Sequence, residues 1–141
     1  IVFSSTWVTD LRARVPSADA RLIRYAGPQS TRPVLEAVAV EKVGDAFYRI
    51  SITAQNFMLT SFPNPYWDGF FQGHAHVYGG GYKIATLYSD EAIIGPIPDG
   101  VESITVTLMN PLHCYVVTTD GVLLLTVGLQ GGHDELLDVE S

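Results

Sequence analysis

Apolar and polar residues alternate over several stretches of the chain, with the period of two that is typical of half-buried β-strands. In residues 48–54, tyrosine, isoleucine and alanine occupy one face of such a strand, and arginine, serine and threonine occupy the other. Residues 104–108 repeat the pattern, because isoleucine, valine and leucine are separated there by threonines. Almost no stretch has the 3.6-residue period of a helix, so the pattern predicts a fold made of strands.

Glycine-containing turns predict how these strands pair. Gly44-Asp45, the glycines at 79–81 and Asp120-Gly121 each separate two apolar-rich stretches, and turns of this kind join antiparallel strands in hairpins. The predicted pairs are residues 34–43 with 46–58, 73–78 with 82–88, and 113–118 with 122–129.

Two segments that each contain a pair of prolines, residues 60–72 and 90–100, predict connections between strands, because proline cannot donate a ladder hydrogen bond. Short helices are expected only around residues 17–25 and 133–139. The strands and turns together predict an all-β fold, an antiparallel Greek-key β-sandwich of the cupredoxin or immunoglobulin type with little helix.

The composition is that of a globular domain with an acidic surface, since 47% of the 141 residues are hydrophobic and the net charge is −7. This length predicts one sandwich domain at residues 1–130 and an acidic C-terminal tail at 131–141. The basic residues are scattered, so nucleic acid is not an expected partner. No run approaches the roughly 20 apolar residues of a membrane span. The chain begins at Ile1, which is typical of a processed protein or a trimmed sequence.

The segment Gly73-His74-Ala75-His76 carries two of the four histidines of the chain. Residues i and i+2 of a strand point to the same face roughly 7 Å apart, so both imidazoles can reach one ion while Ala75 faces the core. His113 follows a loop at the predicted start of another strand, where a sandwich presents functional groups. If these strands are neighbours, the three histidines form a metal site with an open coordination position.

The single cysteine, Cys114, does not fit this site. On an extended backbone its side chain points away from that of His113, which predicts a buried core thiol. A blue-copper centre needs a cysteine thiolate beside two histidines, so the sequence does not favour that class of site.

Other candidate residues have simpler interpretations. Met58 and Met109 can donate to Cu(I), but core or interface packing is favoured for both. Asp68 is expected to be a turn carboxylate, with a weak second hypothesis of orienting a ligand. His133 is expected to be a solvated tail residue. The aromatic loop, residues 62–71, is expected to anchor itself or to contact a second copy of the chain.

The Gly73-to-Tyr78 strand, the segment Lys83-to-Tyr88, the strand Ile104-to-Leu108 and His113, taken in order, resemble a small group of bacterial exported domains with a "GHAH" strand. The resemblance covers about residues 47–125. It implies a cupredoxin-like β-sandwich, a periplasmic or secreted location, and a copper-type site at His74, His76 and His113. The chain departs from that pattern at residues 90–94, where relatives carry a further histidine.

The leading hypothesis is an exported metal-binding protein that uses His74, His76 and His113 to sequester or deliver copper, with zinc as the alternative ion. A second hypothesis is a metal-dependent enzyme whose ion activates water at the open position. A non-enzymatic role is favoured. No nucleophile, phosphate-loop or dinucleotide motif is present, so an enzyme would have to be metal-centred. The third hypothesis is a metal-free interaction module that uses the aromatic loop. A homo-oligomer is compatible with all three.

Overall fold

The computed structural model describes residues 21–129, which form an almost all-β structure with a single 3₁₀ turn at Gln29–Thr31. No helix in this part of the chain is long and apolar enough to cross a membrane. The strands are β1 (Leu22–Arg24), β2 (Val34–Gly44), β3 (Phe47–Gln55), β4 (Met58–Leu59), β5 (Gln72–Gly79), β6 (Tyr82–Leu87), β7 (Glu91–Ile94), β8 (Ser103–Met109), β9 (Tyr115–Thr118), β10 (Gly121–Val122) and β11 (Leu124–Gly128).

The strands form two sheets. The large sheet runs β1-β9-β8-β5-β4, with β6 paired to β5, β10 paired to β9 and β11 paired to β8. The small sheet runs β2-β3-β7 and is antiparallel throughout. This arrangement confirms the all-β class, and the two sheets confirm the two-layer architecture expected of a sandwich.

The main core lies between the two sheets. It joins Ala75, Val77 and Val106 of the large sheet to residues of β2 and β3 in the small sheet, such as Val38 and Ile50. These five residues are fully buried. The alternation seen in the sequence therefore places the apolar face of each strand in this core, as the period of two requires.

The opposite face of the large sheet is also covered. On this face Tyr78, Met109 and Tyr115 form a second, smaller apolar cluster. Thr105 and Thr107 of β8 are buried there as well. Because β5 and β8 are covered on both faces, polar side chains that point away from the main core still lie in an environment with little water.

The structure corrects two sequence predictions about local structure. The helix expected at residues 17–25 is wrong over its described part, because Leu22–Arg24 is a strand that pairs in parallel with β9. The connection expected at residues 90–100 contains a strand, β7, which adds to the edge of β3. Both segments form strands because each pairs with a strand that is distant in sequence, and the local sequence carries little signal for such pairing.

The predicted hairpins of β2 with β3 and of β5 with β6 are confirmed. The last predicted hairpin is confirmed only next to its turn, where β10 pairs with β9, because Leu124–Gly128 pairs with β8 instead. The predicted acidic tail, residues 131–141, and the helix expected at 133–139 lie outside the described residues.

Candidate metal centre

Strand β5 presents His74 and His76 on one face and Ala75 and Val77 on the other, as predicted. Ala75 and Val77 pack into the main core. The two histidines lie on the opposite face, where their relative exposures are only 5% and 6%. A buried imidazole needs polar partners, and both rings find such partners in their own cluster.

A glycine allows β5 to approach β8 closely enough for this arrangement. In the register between the strands, His74 lies opposite Met109 and His76 lies opposite Thr107. A Cβ atom on Gly73 would lie 1.9 Å from the carbonyl oxygen of Met109. Any side chain at position 73 would therefore push the two strands apart beside the first histidine.

His113 reaches the cluster from a tight turn between β8 and β9. The side chain of Asn110 organises this turn, because its Oδ1 accepts hydrogen bonds from the backbone N–H groups of Leu112 (2.9 Å) and Cys114 (2.8 Å). His113 has a left-handed backbone conformation with φ of 62°, which is uncommon for a residue other than glycine but is enriched for histidine. The turn aims the exposed His113 ring back at β5.

The three imidazoles converge on one point. His74 Nε2 lies 3.2 Å from His76 Nε2 and 3.2 Å from His113 Nδ1. The three ring nitrogens all lie within 4.8 Å of one another. Two imidazole nitrogens bound at about 2.0–2.1 Å to one tetrahedral ion are about 3.3 Å apart. The geometry of His74, His76 and His113 can therefore hold a metal ion.

Burial keeps the two histidines of β5 neutral. It lowers the pKa of His74 to about 4, with further contributions from the charges of His113 and Lys83. Burial also lowers the pKa of His76 to about 3, and the charges of His74, Lys83 and His113 act in the same direction. Neutral imidazole is the form that donates a lone pair to a metal, so both rings have the required protonation state at neutral pH.

A chain of hydroxyl groups continues from the cluster into the protein. His76 Nδ1 lies 3.1 Å from the hydroxyl of Tyr78, which lies 3.0 Å from the hydroxyl of Tyr115. Burial raises the pKa of both tyrosines, so both hydroxyls keep their protons at neutral pH. On the other side, the Tyr88 ring packs against His74 with a centroid separation of 5.6 Å.

The cluster supplies three ligand atoms, so a four-coordinate ion bound there would have one position left for another ligand. Within the described residues, the cluster of potential ligand atoms consists of these three histidines. His74 and His76 are buried but His113 is exposed, so the cluster lies at the boundary between the protein interior and solvent. Three protein ligands with a further position open is the coordination pattern of catalytic rather than structural zinc sites.

The prediction for Cys114 is wrong, because its side chain is only partly buried. The prediction assumed an extended backbone from residue 113 onward, but β9 begins at Tyr115 and His113 is in a left-handed turn. The alternation of side chains between two faces therefore does not apply to this pair of residues.

The other candidates lie outside the histidine cluster. Met109 is buried, and its sulfur accepts a hydrogen bond from Thr107 Oγ1 at 3.4 Å. Met58 is exposed and is therefore not a core residue, and together with Trp67 it lines a surface cleft of about 350 Å³. Asp68 is a turn carboxylate, as predicted, because its Oδ1 accepts a hydrogen bond from the backbone N–H of Phe70 at 2.9 Å. His133 lies outside the described residues.

The aromatic loop is divided between anchored and exposed side chains. Phe70 and Phe71 pack edge-on against Tyr25, with ring centroids 5.4 Å and 5.9 Å away. Phe62 and Tyr66 are 88% and 93% exposed. The anchoring part of the prediction is confirmed, and a contact with a second copy of the chain remains a prediction.

Sequence reasoning missed two residues that shape the site. Asn110 organises the turn that carries His113, and the Asn110-Pro111 pair is a turn signal that points to this position. Lys83 lies opposite Tyr78 across β5 and β6, next to a bulge, and only the pairing of the two strands reveals that it lies near the histidines.

Comparison of the chain with protein-family models, curated proteins and solved structures returned no match. The functional argument therefore rests on the residues and geometry of the chain itself.

Proposed function

We propose that the protein binds a transition-metal ion through His74 Nε2, His76 Nε2 and His113 Nδ1. The separations of 3.2 Å from His74 to the other two nitrogens carry this proposal. The neutral rings of His74 and His76 each carry a single proton, and His74 Nε2 faces two other ring nitrogens, so hydrogen bonds alone satisfy the cluster poorly. One cation would bind all three lone pairs.

Copper is the proposed ion. Imidazole suits Cu(II), Zn(II) and Ni(II), and Cu(II) has the highest intrinsic affinity of these for a nitrogen site. Zinc is the alternative, because the nitrogen separations also fit a tetrahedral ion.

The proposed role is sequestration or delivery of copper by an exported protein. The ordered motifs around Gly73-to-Tyr78, Ile104-to-Leu108 and His113 support this role through their resemblance to exported "GHAH" domains. We also propose that the strands are connected as in a Greek-key, cupredoxin-like sandwich, as the same resemblance implies. A site with one exposed ligand, His113, suits an ion that must be passed on, because a partner can reach the ion directly.

The proposal is tested by measuring the metal bound to protein purified without a His tag and then titrating Cu(II) and Zn(II) into the metal-free form. The wild type is expected to bind one equivalent of Cu(II) more tightly than Zn(II). His74→Gln/His76→Gln and His113→Gln are expected to lose tight stoichiometric binding, because each change removes one or two of three ligand atoms.

His133→Gln is the matched control, because it removes the one histidine that the proposed site does not use. It should bind copper like the wild type. Equal copper binding by the wild type and the double variant would contradict the proposal, and so would a loss of binding in the control.

A metal-dependent enzyme is the second candidate, and the open coordination position favours it. An ion held by three histidines lowers the pKa of a bound water and can supply a hydroxide nucleophile. This candidate predicts a hydrolytic turnover that a chelator abolishes and that Zn(II) restores. Sequestration predicts tight binding without turnover.

A further inference from the structure

The hydroxyl groups of Tyr78 and Tyr115 form a hydrogen-bonded pair next to the proposed site, and the Tyr78 hydroxyl is also paired with His76. Tyr78 shares a face of β5 with His74 and His76, and Tyr115 lies on β9 beside the end of β8. Both tyrosines are buried, with relative exposures of 6% and 3%. A buried hydroxyl costs free energy unless it is hydrogen-bonded, so the partners of these two groups matter for both folding and function.

The direction of the hydrogen bonds follows from counting protons. When His76 Nε2 donates its lone pair to an ion, the single proton of the neutral ring must be on Nδ1. Nδ1 lies 3.1 Å from the Tyr78 hydroxyl, so Tyr78 must accept that hydrogen bond. The Tyr78 proton is then free to point at the Tyr115 hydroxyl, 3.0 Å away.

We propose that Tyr78 is a positioning residue for the metal site. Its hydroxyl accepts the Nδ1–H of His76, donates to Tyr115, and so fixes the orientation of the ring that binds the ion. The inference rests on the proposed function, because it assigns Tyr78 a role only when an ion is bound to His76.

The row of hydrogen bonds from His76 through Tyr78 to Tyr115 has two physical effects. It stabilises the His76 tautomer that leaves Nε2 free, and a hydrogen bond accepted from Nδ1–H makes the ligand nitrogen more basic. Tyr115 contributes indirectly, because it accepts the hydrogen bond that the Tyr78 hydroxyl donates and so leaves a Tyr78 lone pair directed at His76. The two ligands of β5 differ in this respect, because the tyrosine beside His74 is Tyr88, whose ring packs against the imidazole at a centroid separation of 5.6 Å and a tilt of 41°.

The test compares Cu(II) and Zn(II) affinity in the wild type, Tyr78→Phe and Tyr115→Phe. Tyr78→Phe should weaken binding by about 10–100-fold, the usual cost of losing an outer partner of a metal-bound histidine. Tyr115→Phe should weaken binding less, because the Tyr78 hydroxyl remains. Tyr48→Phe on the small sheet is the matched control and should bind like the wild type.

A double-mutant cycle shows whether Tyr78 acts through His76. In a His76→Gln background, where the two remaining histidines are expected to bind metal only weakly, Tyr78→Phe should cause no further loss of this residual affinity, because the ring that it positions is absent. A similar loss in both backgrounds would show a general structural effect and would overturn the proposal.

Nitrogen-15 NMR of the zinc-loaded protein supplies a readout that a loss of packing would not mimic. The wild type should show the His76 proton on Nδ1 in a hydrogen bond, and Tyr78→Phe should show it without that bond. If Tyr78→Phe fails to fold, Tyr115→Phe carries the same test with a smaller expected change. A wild type that binds no metal would refute the proposed function, whereas wild-type affinity in Tyr78→Phe would refute the positioning role alone.

Discussion

At the scale of single residues, the histidines of β5 differ from surface histidines in how they respond to acid. Burial, together with the neighbouring charges of His113 and Lys83, lowers the pKa of His74 to about 4, and burial with the same neighbours and His74 lowers that of His76 to about 3. In the unfolded chain both would titrate near the ordinary value of about 6.5. At pH values between the folded pKa of each histidine and about 6.5, the unfolded chain binds protons that the folded chain does not.

The metal-free protein should therefore lose stability as the pH falls from 7 toward 4. The stability that the neutral forms of His74 and His76 contribute is fully present above about pH 6.5. Below this pH, each histidine reduces the free energy of unfolding by at most about 1.4 kcal/mol per pH unit. Urea unfolding at pH 7, 6 and 5 measures this slope. His74→Gln/His76→Gln is the control. It should show a shallower slope, because it lacks the two buried imidazoles while its other titrating groups are unchanged. Equal slopes would mean that the histidines are not buried in neutral form.

At the scale of elements, the close contact of β5 with β8 decides whether the histidines can meet. Gly73 makes this contact possible, because a Cβ atom there would lie 1.9 Å from a backbone oxygen, which cannot rotate away. His113 depends on the same pair of strands, since its turn begins where β8 ends at Met109.

Gly73→Ala should destabilise the protein by about 1–3 kcal/mol, the usual cost of forcing extra atoms into a packed site, and should also weaken metal binding by displacing His74. Chemical denaturation and copper titration measure the two effects. Gly128→Ala is the matched control, since position 128 is also at a strand of the large sheet and a Cβ atom there meets nothing within 4 Å. Wild-type stability in Gly73→Ala would show that the strands are less tightly paired than described.

The sequence predicts local features of these elements better than distant pairings. The period of two placed His74 and His76 on one face, and glycine turns located the hairpins, because both features depend on neighbouring residues. The strand at Leu22–Arg24 exists through pairing with β9, and the strand at Glu91–Ile94 exists through pairing with β3. Neither partner is close in sequence, so the local sequence predicts a helix and a connection at these two segments.

The site shows the same division. The position of His113 at the end of a loop predicts a third ligand there, but its left-handed backbone and the Asn110 side chain that supports the turn are tertiary features. The same turn explains why the prediction of a buried Cys114 is wrong. Alternation applies only where the backbone is extended, and the turn interrupts it there.

At the scale of the whole molecule, the candidate metal centre is separate from the main core. The core lies between the two sheets, and the histidines lie on the opposite face of the large sheet. Replacing ligands should therefore change metal binding more than folding. The exposed Phe62 and Tyr66 form a different surface, and a metal-free interaction role for that surface remains the competing hypothesis.

The most direct test of the central claim is anomalous diffraction from crystals of the copper-loaded protein, measured at the copper absorption edge. The account predicts one peak at roughly 2 Å from His74 Nε2, His76 Nε2 and His113 Nδ1, the usual length of a metal–imidazole bond. A peak at another position, or a loaded crystal in which any of the three rings points away from the ion, would contradict it.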